Sequence, residues 1–146
     1  MRVRRQAPSP AAWQPRGASV YSMAMPIDLG EEELRRLHET DDGRPFVLAQ
    51  LLKFAPGGRD QYLAYSRQAQ GILRASGAVI VYAGECEDRL GTAEGEAWDA
   101  IVLVRYPSRA AYVEMLSNPS FQEVAELRRK SLRHAMFLLM DDWPGR

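Results

Sequence analysis

The order of secondary-structure signals between Pro45 and Met140 constrains the fold of this chain more than any other feature. Apolar runs of strand character and periodic stretches of helix character follow one another there as strand, helix, strand, strand, helix, strand. An antiparallel four-stranded sheet with helices on one face is the common solution for a βαββαβ order. The sequence therefore predicts an α+β fold of the ferredoxin-like class.

Glycine, proline and capping residues set the predicted boundaries of the elements. The first long helix is expected from Gly58 or Arg59 to Ser76, where Gly77 provides a C-terminal cap. Gly84 is a candidate β-bulge. The other predicted elements are strands over Pro45–Phe54, Ala78–Glu85, Trp98–Tyr106 and Ala135–Met140, and a helix that begins after Ser108 and restarts at Asn118-Pro119.

A short additional helix is predicted before the first strand, over Glu31–Glu39. Asp28 has the character of an N-cap residue, and Glu31 three positions later completes a capping-box pattern. We therefore expect the ordered domain to span residues 27–142.

Residues 1–26 differ in composition from the rest of the chain. They hold several prolines and four arginines, with no acidic residue before Asp28. The arginines are compatible with an export signal or a transit peptide, but no apolar segment follows them. We expect either a disordered tail or a misassigned start, with Met23 or Met25 as the initiator.

The first strand is apolar on both of its faces. Its odd and even positions alike are large or aliphatic: Val47, Ala49 and Leu51 on one side, Phe46, Leu48 and Leu52 on the other. Since the helices of this fold cover one face only, a second subunit is expected to cover the other. The sequence thus predicts a homodimer.

Composition excludes several classes of partner and site. The 19 basic and 19 acidic residues leave the part after the N-terminal arginines mildly acidic, which disfavours nucleic-acid binding. No apolar run is long enough to cross a membrane. Cys86 is the only cysteine and is distant in sequence from His38 and His134, so we expect a reducing, cytoplasmic location and no metal site.

Several motifs resemble a known family. Leu48–Phe54, Trp98-Asp99, Val104–Ser108, Asn118–Gln122 and Arg128 are similar to the corresponding motifs of the family catalogued as domain of unknown function 1330. The Trp-Asp pair followed by Arg-Tyr-Pro-Ser is the most specific of these motifs.

This resemblance covers about residues 26–140 and implies a dimeric α/β barrel, in which two ferredoxin-like sheets pack face to face. Relatives in that superfamily include cofactor-free monooxygenases, isomerases, cyclases and haem enzymes. Where relatives commonly have asparagine in the first strand, this chain has Gln50. The resemblance implies either a cofactor-independent enzyme acting on a small aromatic or carbonyl-bearing acid, or a non-catalytic binding module.

Two residues are candidates for catalysis. Gln50 interrupts an apolar strand, and its buried amide either orients a substrate carbonyl or bonds to neighbouring backbone. Asp99 is either a general base in a cavity or a partner in an ion pair near the strand end.

Three residues are candidates for ligand binding, and with Gln50 they are expected on one cavity wall. Tyr65, like Tyr62, lies on the apolar stripe of the first long helix and either donates its hydroxyl or packs. Arg128 either holds an anion bidentately or lies on the surface. Trp98 is the third candidate. His134 and the cluster Glu85, Glu87 and Asp88 are expected to face solvent instead.

Overall fold

The computed structural model describes residues 27–88, 90 and 97–144, so the predicted tail over residues 1–26 lies outside the described part. This part holds four helices and four strands. They are α1 (Glu31–Glu39), β1 (Phe46–Phe54), α2 (Gly58–Ala75), β2 (Val79–Glu85), β3 (Ala100–Tyr106), α3 (Arg109–Ser117), α4 (Pro119–Ser131) and β4 (Leu132–Met140).

The four strands form one antiparallel sheet in the order β2-β3-β1-β4. β1 is therefore central: Leu48 pairs with Val104 of β3 on one side and with Leu139 of β4 on the other. This topology is the ferredoxin-like βαββαβ arrangement, with α1 added before it. The predicted fold class is confirmed.

The helices behave as their boundary residues predict. α2 ends at Ala75 with Ser76 as its C-cap, and Gly77 follows with a φ of 84°, the left-handed conformation that glycine adopts without strain. The Ser108 hydroxyl accepts a hydrogen bond from the Ala111 amide at 3.0 Å. The Asn118 side chain caps α4, and Pro119 occupies its first turn, so one predicted helix becomes the two helices α3 and α4.

The start of α1 differs from the prediction. The helix spans Glu31–Glu39 as expected, but its N-cap is Gly30, whose amide donates to the Glu33 carboxylate at 2.9 Å. Asp28 lies outside the helix and is free to pair elsewhere. Two capping patterns overlap in this stretch, and the sequence alone favoured the wrong one.

Three strand details also differ from the prediction. β4 begins at Leu132 rather than at Ala135. The irregularity in β2 lies between Ile80 and Tyr82 rather than at Gly84. β3 begins at Ala100, so Trp98 and Asp99 precede the strand. Their side chains therefore do not follow the alternation that a strand over Trp98–Tyr106 would impose.

Strand alternation gives the sheet two different faces. The helix face carries the core, with Leu48 and Leu52 of β1 packed beneath α2 and α4. The opposite face, here called the open face, is also apolar; it includes Val47, Ala49, Leu51, Ile101, Leu103, Met136, Leu138 and Met140. Leu138 and Met140 are 45% and 37% exposed in the single chain.

Candidate functional site

A cavity of about 620 Å³ lies between the helix face of the sheet and the helices that cover it. Its walls come from all four helices, all four strands and the segment that leads into α1. Most of the lining side chains are apolar or aromatic. The polar ones that matter here are Gln50, four tyrosines, Arg128 and Asp28.

Arg128 is the deepest charged group of this cavity. It sits on the inner face of α4 and is 5% exposed, although α4 as a whole is polar. Its Nη1 donates to the Ile27 carbonyl oxygen and to Asp28 Oδ1, both at 2.8 Å. Its guanidinium carbon lies 5.4 Å from the centre of the Phe137 ring. Arg128 is thus held by its neighbours and presented towards the cavity.

Gln50 is the second polar group on the floor of the cavity. It lies on the central strand β1, and its Oε1 accepts from Arg128 Nη2 at 3.3 Å. The amide is therefore bonded to a cation rather than to neighbouring backbone. Gln50 and Arg128 together form a polar centre on an apolar floor.

Four tyrosines surround Arg128: Tyr62 and Tyr65 of α2, Tyr106 of β3 and Tyr112 of α3. Burial raises the pKa of each phenol above its usual value, and the positive charge of Arg128 opposes that rise in all four. A hydrogen bond with Arg128 further favours the ionised form of Tyr62. At neutral pH the four hydroxyls are therefore neutral and able to donate hydrogen bonds.

Tyr65 lines the cavity, as the sequence suggested, whereas Trp98 does not. The Trp98 ring lies 5.0 Å from the ring of His134, and Lys53 Nζ is 5.8 Å from its centre. Lys53 and His134 pair across β1 and β4 on the odd, open-face side of β1. Trp98 therefore contributes to the other face of the sheet, and His134 is buried there rather than facing solvent.

Asp99 also lies apart from the cavity lining. Its Oδ2 accepts a hydrogen bond from the Phe54 amide at 2.8 Å, and its own amide donates to the Leu52 carbonyl. Its carbonyl accepts from the Cys86 amide. These contacts hold the end of β1 beside the start of β3. Asp99 therefore has a structural role where these two strands meet.

Asp28, Tyr106 and Tyr112 belong to the site although the sequence did not identify them as site residues. Asp28 had the character of a helix cap, and Tyr112 lies within the helix that was predicted to begin after Ser108. Tyr106 occupies an even position of β3, paired with Phe46 of β1. Once the two strands are placed in register, that parity is the signal that directs Tyr106 to the helix face.

Other candidate chemistry is limited in the described residues. No group of three or more His, Cys, Asp or Glu side chains is placed to hold a metal ion. Glu85, at the cavity rim, pairs with Arg59, whose hydrogen bond lowers the pKa of the Glu85 carboxyl. None of the helices described here is both long and apolar enough to span a membrane.

Several solved structures share this fold. The chain is 24% identical to a protein of unknown function from Rhodopseudomonas palustris, with a TM-score of 0.73; the match covers 82% of this chain and 98% of that one. It is 20% identical to a candidate antibiotic biosynthesis monooxygenase from Bacteroides thetaiotaomicron, with a TM-score of 0.52 and coverage of 70% and 91%.

A NIPSNAP-like domain protein from Burkholderia xenovorans is 14% identical, with a TM-score of 0.52 and coverage of 71% of this chain and 90% of that one. These likenesses concern the fold. No curated protein matches the sequence. The sequence model for Domain of unknown function (DUF1330) matches residues 51–141, more than half of the chain, and the protein belongs to that family.

Proposed function

We propose that this protein binds a small organic anion with an aromatic or carbonyl-bearing body in the cavity around Arg128. The observation that carries the proposal is a buried guanidinium in the wall of an apolar, ligand-sized cavity. Ligand pockets are typically 300–1,000 Å³ and mostly apolar, with a few fixed polar groups that orient the ligand. The cavity, at about 620 Å³, has this composition.

Charge supports an anionic ligand. A buried cation is costly unless it is paired, and the ionic partner of Arg128 is Asp28, whose side chain is 44% exposed. Positive charge is therefore concentrated in the interior and negative charge at the rim. A ligand carboxylate that reaches Arg128 would gain a charge-assisted and geometrically specific contact.

The remaining polar groups favour a ligand with a second oxygen. The tyrosine hydroxyls and the Gln50 amide can donate to a carbonyl or phenolic oxygen next to the carboxylate. The aromatic rings of Tyr62, Tyr65 and Phe54 form a continuous surface, with centroid separations of 5.4 Å and 5.8 Å. A planar ligand body would pack well against it.

Turnover of the bound ligand is the second candidate function. Arg128 and the neutral phenols would stabilise an enolate or phenolate formed from the ligand, as proton transfer, isomerisation or cofactor-independent oxygenation requires. Gln50 would orient the reacting carbonyl. The described carboxylates of the lining are at the rim, and Asp99 is bonded to backbone outside the lining. Binding without turnover, as in an accessory module, is therefore the function that the geometry supports best.

Two broader features of the proposal concern assembly and location. We propose a homodimer, because the open face exposes large apolar side chains that a second copy would cover. The single cysteine fits a reducing compartment, so we place the ligand among cytoplasmic metabolites.

A pair of fluorescent probes tests the anion site. 8-Anilino-1-naphthalenesulfonate carries an anionic group on an aromatic body, whereas N-phenyl-1-naphthylamine has the same rings without the charge. Arg128→Met removes the cation at similar volume and should weaken the sulfonate by about 10- to 100-fold, the range of a charged hydrogen bond. Affinity for the neutral probe should change little.

Arg67→Met is the matched control, because it removes the same charge from an exposed position on α2 outside the cavity lining. Circular dichroism and melting temperature would show that each variant is folded. Equal loss of both probes, or equal weakening by Arg67→Met and Arg128→Met, would contradict an anion site at Arg128.

A further inference from the structure

The segment from Ile27 to the end of α1 at Glu39, here called the strap, packs against the core only through the partly buried side chains Ile27, Leu29 and Leu37. None of the nine residues of α1 is buried. The main cavity lies on one side of the strap. A second cavity of about 320 Å³ lies on the other, between α1, the start of α3 and the sheet, and Leu29 lines both. With a cavity on each side, the strap makes fewer packing contacts than the core elements do, and such segments open at a lower free-energy cost.

Polar contacts hold the strap at its two ends. At the N-terminal end, the Asp28 carboxylate bridges Arg128 Nη1 at 2.8 Å and Arg129 Nε at 2.7 Å. At the C-terminal end, Arg109 donates from its side chain to Thr40 and from its amide to Asp41. Gly43 follows with a φ of 74°. The contacts of Arg109 thus fix the C-terminal end of the strap beside a turn. The contacts of Asp28 with Arg128 and Arg129 hold its N-terminal end and are here called the latch.

The latch occupies the guanidinium that the proposed ligand needs. Arg128 Nη1 donates to two strap oxygens, the Asp28 carboxylate and the Ile27 carbonyl. A ligand carboxylate beside Asp28 would place two negative charges on one guanidinium, and like charges at that separation repel. Ligand binding and latch closure therefore oppose each other.

We propose that Asp28 is an internal competitor for the ligand anion, and that an anion bound at Arg128 displaces Asp28 and releases the strap. This inference rests on the proposed function and adds its regulation. Displacement costs little because Asp28 keeps its contact with Arg129 at the rim, and that partly exposed ion pair alone holds the strap only weakly. Opening the strap also joins the two cavities at Leu29, which gives the ligand a path into the site.

The first test measures the competition directly. Asp28→Asn removes the negative charge but preserves the size and the hydrogen-bond acceptor of the side chain. It should tighten binding of 8-anilino-1-naphthalenesulfonate by about five- to tenfold, the size of a typical coupling between sites. N-phenyl-1-naphthylamine, which lacks the anion, should bind with unchanged affinity.

Glu126→Gln provides the matched control. Glu126 pairs with Arg129 but not with Arg128, and the variant changes the net charge by the same amount. Tighter sulfonate binding in Asp28→Asn alone supports competition. Equally tighter binding in both variants would show that the change in net charge is the cause and would overturn the proposal. Unchanged or weaker binding in Asp28→Asn would also overturn the proposal.

The second test detects release of the strap in the unmodified protein. Saturation with 8-anilino-1-naphthalenesulfonate should accelerate hydrogen exchange at the α1 amides, beginning with Leu34, which donates to the Gly30 carbonyl. Exchange in α2 should stay constant or slow. Slower exchange in α1 would mean that the strap closes over the ligand and would overturn displacement.

The two proposals fail in different ways. If Arg128→Met leaves sulfonate binding unchanged, the anion site itself is wrong. If Arg128→Met weakens binding but Asp28→Asn does not strengthen it, the site stands and only the competition is wrong.

Discussion

At the residue scale, the unusual feature is a single guanidinium surrounded by four buried phenols. Arg128 stabilises the ionised form of each tyrosine, yet burial outweighs that effect and the net pKa shift is upward for all four. The site therefore combines one buried charge with several neutral donors. Such a set can recognise an anion together with an adjacent oxygen without a metal.

The raised tyrosine pKa values predict a loss of stability in alkali. A phenol ionises near pH 10 in the unfolded chain and at higher pH in the folded one, so above pH 10 the unfolded chain binds fewer protons. Each buried phenol makes its full contribution to the free energy of unfolding below pH 10. Above pH 10 this contribution falls by up to about 1.4 kcal/mol per pH unit for each tyrosine.

Melting temperature between pH 8 and pH 11.5 measures this effect. Tyr112→Phe should flatten the alkaline decline, because it removes one of the four groups. An alkaline decline that Tyr112→Phe leaves unaltered would contradict the assignment of the shift to burial.

The sequence predicted which side chains line the cavity wherever strand alternation or helical spacing alone decides the face of the element. Gln50 lies at an even position of β1 and Tyr65 on the apolar stripe of α2, and both line the cavity with Arg128. Trp98 and Asp99 were placed by assuming that β3 starts at Trp98. Because β3 starts two residues later, alternation does not apply to either side chain.

At the element scale, the start of α2 and the end of α4 approach each other closely at Gly58. A Cβ atom added at Gly58 would lie 2.1 Å from the Ser131 carbonyl oxygen, a backbone atom that cannot rotate away. The Ala55 amide donates to the same oxygen at 2.9 Å. Gly58 is therefore required for α2 and α4 to meet.

Two glycine substitutions in α2 should have opposite effects on stability. Gly58→Ala should cost about 1–3 kcal/mol through overpacking and lower the melting temperature by about 3–10 °C. Gly71→Ala adds a Cβ with no neighbour within 4 Å and should gain about 0.5–1 kcal/mol of helix propensity. Thermal unfolding of both variants checks the pair, and a tolerated Gly58→Ala would refute the close approach.

Most element boundaries followed from local chemistry, whereas the N-cap of α1 did not. Gly77, Ser108 and Pro119 each permit few backbone conformations or supply one specific hydrogen bond, and each marks the predicted boundary. The cap of α1 failed because Asp28 with Glu31 and Gly30 with Glu33 are both plausible pairs. Only the position of Arg128, a hundred residues away, decides between them.

At the scale of the whole molecule, the sheet has two apolar faces but helices on one. Leu138, Met140 and Tyr82 are 45%, 37% and 59% exposed in the single chain. Exposed apolar surface of this kind marks an interface in a soluble protein. Lys53 and Arg105 lie on the odd side of β1 and β3 towards opposite ends of the open face, so charge is kept from its centre.

The open face should pair two copies of the chain, and two adjacent leucines of β4 test this. Leu138 pairs with Ala49 on the open face, whereas Leu139 pairs with Leu48 on the helix face, and the two side chains are similarly exposed. Leu138→Lys should place a desolvated charge in the interface and yield monomers, because an unpaired buried charge is costly. Leu139→Lys should remain dimeric. Light scattering at micromolar concentration measures both masses, and a monomeric unmodified protein would refute the dimer.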